Sequence, residues 1–307
     1  MSQNHIGAGL DSYNRGDEMT VYKGLQRALV LASIVAGGLF AANIAYAQDD
    51  ACKAVAAKYP SLAGKTIKVG MDAATPPYTM RDPKDFNTVT GLDVDMAKAT
   101  FDCIGIKTEP MIGNWSGLLP AVIAGQADVM WDTLYYTPER AKQADFVVYL
   151  RAATGGLVQK GNPKNIHSLD DVCGTRATAG LGSTEEAVFR DLSKKCTDAG
   201  KPAVDVVTFP DIPAGARLVK ADRADLLMID LGLVNSFIQA DPSSYDLAFT
   251  ILTDYKVGVG VAKNNKDLSN AILDALKIVQ ANGTEEKIYA KYNFDHKQAL
   301  PAELLTE

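Results

Sequence analysis

Short apolar runs alternate with helical patterns along almost all of residues 66–292, and that alternation leaves few architectures open. Thr66–Met71 (TIKVGM) reads as a strand and Leu92–Cys103 as a helix. Lys107–Ile112 is a second strand. Ser116–Ala124 is a helix with Pro120 in its first turn, where proline is tolerated. Ala127–Trp131 is a short buried strand. Further strands are expected at Phe146–Leu150, Gly155–Gln159, Arg176–Ala179, Val204–Phe209, Asp225–Ile229 and Val257–Ala262. Helices are expected at Glu185–Cys196, Ala214–Lys220, Leu231–Ala240, Leu268–Ala281 and Glu285–Tyr292. Such alternation implies an α/β fold with a mostly parallel sheet.

An internal similarity points to two lobes. Val122–Thr133 (VIAGQADVMWDT) and Val219–Asp230 (VKADRADLLMID) share Val, Ala, Ala and Asp at equal spacing. Each is a helix end, a short turn, Ala-Asp and a buried strand, and each closes on polar residues. Open α/β sheets bind ligands beyond the carboxyl ends of their strands, so two lobes facing each other would line a cleft with those ends. Gly155-Gly156 is expected to be a hinge or a bulge.

The N-terminal segment reads as an export signal. Ala28–Ala42 is an apolar run of 15 residues, shorter than the roughly 20 of a membrane span. Lys23 and Arg27 precede it and Ala45-Tyr46-Ala47 follows, which together make a secretory signal peptide over residues 1–47. Acidic residues before it suggest that translation starts at Met19. The mature chain then begins near Gln48.

Cysteine usage agrees with export. Cys52, Cys103, Cys173 and Cys196 all follow the signal segment, and four cysteines allow three pairings. Cys173 and Cys196 bracket a predicted strand and helix, which favours that bridge and leaves Cys52–Cys103 to join two helices. No C-x-x-C occurs and His5, His167 and His296 are scattered, so no metal site is expected.

Charge narrows the partners. With 31 Lys+Arg against 37 Asp+Glu the net charge is -6 and no basic run occurs, which argues against nucleic acid. No G-x-S-x-G, P-loop or H-E-x-x-H is present, and Gly180-Leu181-Gly182 lacks the third glycine of a dinucleotide fingerprint. No catalytic set and no cofactor are therefore expected. Groups suited to a small charged ligand do occur. Asp72-Ala-Ala-Thr-Pro-Pro-Tyr78 forms a stiffened loop after the first strand, and Trp115 opens a helix. Arg140 follows Thr137-Pro138-Glu139, and Gly182-Ser183-Thr184 begins a helix whose free N–H groups suit an anion.

These stretches resemble the periplasmic solute-binding proteins of the polar amino-acid uptake family (bacterial solute-binding protein family 3), partners of ABC importers. The matching segments are V-G-M-D-A-A-T-P-P-Y (69–78), G-L-D-V-D-M-A-K-A (91–99), W-S-G-L-L-P-A-V-I-A-G-Q-A-D (115–128) and T-P-E-R-A-K-Q-A-D-F (137–146). They continue with S-L-D-D-V-C-G (168–174), G-S-T-E-E-A (182–187), R-A-D-L-L-M-I-D (223–230) and V-G-V-G-V-A-K-N-N (257–265). The resemblance implies a two-lobed periplasmic binding protein of type II, with residues 48–153 and 255–307 in lobe 1 and 154–254 in lobe 2. The chain would cross between lobes near Ala152–Gly155 and return near Thr253–Val257. It implies that Arg140 grips a ligand carboxylate and that Asp230 takes an amine. Trp115 stacks on the ligand, Ser183 and Thr184 add donors, and Asp72 and Tyr78 belong to the first loop. Thr75 stands where an aromatic is common, and Asp132, Thr133 and Tyr135 depart from the small residues usual before the arginine. The pocket thus reads as retuned, its solute's charge left open.

The implied protein is a monomeric, non-enzymatic, periplasmic binder that delivers an amino-acid-like solute to a permease in the inner membrane. Two other readings share the scaffold. One is a cyclohexadienyl or arogenate-type dehydratase using Glu185 or Asp132 as acid. The other is a partner of a sensor kinase or a quinoprotein dehydrogenase.

Overall fold

The computed structural model describes residues 50–292, 294 and 296–307, so the expected signal segment lies outside the described residues. Helix α1 (residues 51–58) leads into β1 (Thr66–Met71), where Ile67, Val69 and Met71 are buried. A small sheet follows, made of β2 (Ala74–Thr75), β3 (Thr79–Arg81) and β4 (Val89–Thr90). Helix α2 (Leu92–Cys103) buries Leu92, Met96 and Phe101 at helical spacing. Next come β5 (Lys107–Ile112), α3 (Trp115–Ile123), β6 (Val129–Tyr135) and the single turn α4 (Pro138–Ala141). Strand β7 (Ala144–Gln159) precedes β8 (Arg176–Gly180), α5 (Thr184–Asp198), β9 (Asp205–Phe209), α6 (Ile212–Lys220), β10 (Leu226–Asp230) and α7 (Leu231–Ala240). Strand β11 (Tyr245–Ala262), α8 (Lys266–Ala281), α9 (Thr284–Lys291) and β12 (Ala299–Leu305) complete it.

The main sheet runs β5-β1-β6-β11-β7-β10-β8-β9, with β12 on β7. Strands β1, β5 and β6 are parallel to one another, as are β8, β9 and β10. Between these groups lie β7 and β11, antiparallel to each other and to their neighbours. Fully buried β6 and β10 carry the continuous apolar runs of strands covered on both faces. Strand β5 ends the sheet with exposed, charged residues and Pro110, which suits an edge.

Several expectations need correction. Phe146–Leu150 and Gly155–Gln159 belong to one 16-residue strand, because β11 pairs along its whole length. A register shift does occur at Gly155-Gly156, carried by β11 between Leu247 and Phe249 opposite Leu157 and Gly156, so the expected bulge lies on the partner strand. A Cβ on Gly156 would lie 2.8 Å from the Phe249 ring, and one on Gly155 would lie 3.1 Å from Leu231, so both positions are small to admit packing neighbours. Pro120 lies inside α3, past its first turn, because the helix starts at Trp115. The sheet is mixed rather than mostly parallel, since β7 is antiparallel to β10, β11 and β12, and β11 is antiparallel to β6.

The disulfides join Cys52 to Cys103 and Cys173 to Cys196, the pairing that the spacing favours. One core centres on Trp131, which packs edge-on against Phe101 and donates from Nε1 to Tyr149 Oη at 2.9 Å. A second surrounds Phe189, with Val158, Ala177, Leu226 and Met228. Among the described residues no helix is long and apolar enough to cross a membrane.

Candidate functional site

The carboxyl ends of β6, β8 and β10 converge on one cavity of about 470 Å³ of empty space, part of it open to solvent. Its lining comprises Thr75, Trp115, Thr133, Tyr135 and Arg140, together with Gly180, Ser183, Thr184, Glu185, Ile212, Ile229, Asp230 and Leu233.

Arg140 is set by α4, whose N-cap Thr137 accepts from the Arg140 N–H at 3.2 Å. Its guanidinium donates from Nη1 to the Tyr135 carbonyl at 2.7 Å and from Nη2 to the Gly182 carbonyl at 2.8 Å. It also lies 5.3 Å from the Trp115 ring centroid, within cation–π range. Burial lowers its pKa, and the charge of Glu185 opposes that. The indole of Trp115 is fixed by a 2.9 Å bond from Nε1 to the Asp132 carbonyl.

Asp230 lines the same cavity from the end of β10. Its Oδ1 accepts from Tyr78 Oη at 2.6 Å and from the Gly232 N–H at 2.8 Å, which also caps α7. Its Oδ2 accepts from Tyr135 Oη at 3.1 Å. Burial raises its pKa to about 6, against the pull of those donors. Tyr135 in turn stacks on Tyr255 at 5.9 Å.

Thr133 is held in an unusual conformation. Its φ is +47°, a left-handed value costly for a β-branched residue. Its N–H donates to Asp93 Oδ2 at 2.8 Å, and Tyr149 Oη holds Asp93 Oδ1 at 2.9 Å. Burial raises the pKa of Asp93 to about 6. Thr133 is 6% exposed, lines the cavity, and its Oγ1 has no hydrogen-bond partner.

Three expected site residues stand behind the wall rather than in it. Asp132 is fully buried, accepting from Thr75 Oγ1 and from the Asp72 N–H, each at 2.8 Å. Burial holds its carboxyl well above the usual range, with repulsion from Asp93 adding to this. Asp72 accepts from the Trp115 N–H at 2.9 Å and the Ala74 N–H at 3.0 Å, so it orders its own loop and the start of α3. Tyr78 reaches the cavity only through Asp230. The start of α5 is also partly committed. Ser183 is its N-cap, accepting from the Glu186 N–H at 3.1 Å, and Thr184 Oγ1 donates to Glu185 Oε2 at 3.0 Å.

Glu185 is the group that sequence reasoning left out of the ligand set. Named in the sequence only as the acid of the dehydratase alternative, Glu185 is 7% exposed and lines the cavity. Ile212, Ile229 and Leu233 add an apolar surface. Among the described residues no group of His, Cys, Asp and Glu could hold a metal ion.

Residues 67–296 match the family described as bacterial extracellular solute-binding proteins, family 3. The chain is 25% identical over 228 residues to the L-cystine-binding protein TcyJ of Escherichia coli (strain K12), covering 74% of this chain and 82% of that one. It is 27% identical over 241 residues to the L-arginine-binding protein of Pseudomonas aeruginosa, covering 76% and 90%. Among solved structures it resembles an ancestral arginine-binding protein bound to arginine, with a TM-score of 0.67, 30% identity and coverage of 74% and 97%. Both curated relatives are named as binding proteins, and the architecture is the two-lobed type II fold of such proteins.

Proposed function

Since the chain belongs to the bacterial extracellular solute-binding proteins of family 3, we propose that it captures an amino acid between its lobes and delivers it to the permease of an ABC importer. The observation that supports this reading is that Arg140 and Asp230, groups of opposite charge, line one cavity. A zwitterion leaving water must have both charges paired. Arg140 offers a planar fork to the α-carboxylate. Asp230 keeps room on Oδ2 for an ammonium, and Tyr135 and Thr133 line the same cavity with hydroxyls that can accept further hydrogen bonds. Trp115 and the apolar residues receive the carbon skeleton. No bond is made or broken in this cycle, in keeping with relatives named as binding proteins.

Capture works by closure. Residues 48–153 and 255–307 form lobe 1 and 154–254 form lobe 2 in this reading. The register shift between Leu252 and Lys256, opposite Arg151–Ala153, supports a crossing there. A solute touching both lobes favours the closed form by as much as it prefers that form. The protein acts as a monomer in the periplasm, exported by residues 1–47. Relatives named for cystine and arginine support an amino-acid solute.

A thermal-shift screen of the purified protein against amino acids, opines, polyamines and compatible solutes tests this, because a ligand of the native state raises the melting temperature. A shift with at least one amino acid is expected. No shift with any of them refutes the reading.

A further inference from the structure

The α-carboxylate and α-ammonium of an amino acid engage Arg140 and Asp230, and this leaves Glu185 without a counter-charge. Its carboxylate is buried in the same cavity wall. One oxygen accepts from Thr184 Oγ1 at 3.0 Å, and the other meets Thr154 Oγ1 only at 3.5 Å. Among the described residues no lysine or arginine reaches it at ion-pair distance. The cavity therefore sets two carboxylates against one guanidinium. A buried carboxylate without a cation is costly, and the cost is relieved when the ligand brings that cation. A second observation marks the cavity as built for a ligand: buried Thr133, 6% exposed, also lines it, and its Oγ1 has no hydrogen-bond partner among the described residues.

We propose that Glu185 is a specificity-determining residue that selects amino acids bearing a second positively charged nitrogen, an ammonium or guanidinium on the side chain. The inference rests on the amino-acid reading above. A side-chain cation paired with Glu185 balances the cavity, whereas a neutral side chain leaves it one negative charge in excess. Burial raises the pKa of Glu185, opposed by its hydrogen bonds to Thr184 and Ser183 and by the charge of Arg140, and an arriving cation further favours the ionised carboxylate.

Matched ligand pairs test this by titration calorimetry on the purified protein. L-arginine and L-citrulline share a skeleton and differ in charge, as do L-ornithine and L-norvaline. In the wild type, at least one charged member is expected to bind at least tenfold tighter than its neutral partner. In Glu185→Gln that ratio is expected to fall to threefold or less, with the neutral partner's affinity little changed. Neutral partners binding as tightly as charged ones in the wild type would overturn the inference and leave the amino-acid reading intact, because an α-ammonium shared by Asp230 and Glu185 would then explain the site. A ratio kept in Glu185→Gln overturns the role of Glu185. Failure of all four ligands, with no other amino acid bound, overturns both readings. The wild-type ratio decides the matter even if the variant does not fold.

Discussion

Tyr78 Oη donates a 2.6 Å hydrogen bond to Asp230 Oδ1, joining the loop after β1 to the end of β10 across 152 residues of sequence. Both groups are buried, so the bond ties the loop after β1 to a residue of the cavity lining. A bond to a charged acceptor contributes about 1.5–3 kcal/mol. Tyr78→Phe is therefore expected to lower the melting temperature of the ligand-free protein by roughly 3–10 °C. It is also expected to expand the ligand-free protein in small-angle scattering, with compaction restored by solute. An unchanged melting temperature and radius would show that this bond does not hold the halves together.

Asp93 positions Thr133. Asp93→Ala removes the acceptor of the Thr133 N–H and of Tyr149 Oη and leaves both buried donors unpaired. Each orphan costs about 1–3 kcal/mol. Urea unfolding is expected to show a loss of roughly 2–5 kcal/mol, together with weaker solute binding as Thr133 leaves its left-handed conformation. Wild-type stability in this variant would remove the role given to Asp93.

Acidification is expected to move stability and binding in opposite directions. The pKa values of Asp230 and Asp93 are raised to about 6 from an ordinary 3.8. The folded form therefore holds these protons more tightly than the unfolded chain. Their contribution to stability is full below about 4 and lost as the pH rises through 6. The ammonium of the solute needs ionised Asp230, so affinity is expected to fall about tenfold per pH unit below 6. Tyr78, Tyr135 and Glu185 also face Asp230, and Glu185 raises its pKa further. Calorimetry between pH 5 and 8 checks this, and an affinity flat over that range contradicts it.

Reduction is expected to destabilise the fold at two separate places. The Cys52–Cys103 and Cys173–Cys196 bridges close loops with separations of 51 and 23 residues. Loop closure of that size contributes on the order of 3–4 kcal/mol each. Cys173→Ala/Cys196→Ala should lower the unfolding free energy measured in urea by that amount and leave the solute affinity of the folded protein within threefold. A change confined to affinity would contradict a purely structural role.

Trp115, Arg140 and Asp230 were legible through the motifs of the family resemblance, and all three line the cavity. Glu185 escaped because the burial of a first-turn acid depends on where α5 packs, which local pattern does not encode. Asp132 misled for the converse reason. It stands beside the arginine motif, but its carboxylate turns back to Thr75 and the Asp72 N–H. The full length of β7 and β11 was hidden because Arg151 and Gly155-Gly156 interrupt the apolar pattern, while the ladder depends on a partner about 100 residues away. Ala299–Leu305, with Pro301, pairs only at the edge of β7 and has little strand signature of its own.

Calorimetry of Arg140→Ala and Asp230→Asn, with an amino acid that the wild type binds, tests the central claim most directly. The account predicts one site in the wild type and affinities at least tenfold weaker in each variant, since each loses a charge-assisted contact of about 1.5–3 kcal/mol. Folded variants that bind the amino acid as tightly as the wild type would contradict the placing of its carboxylate on Arg140 and its ammonium on Asp230.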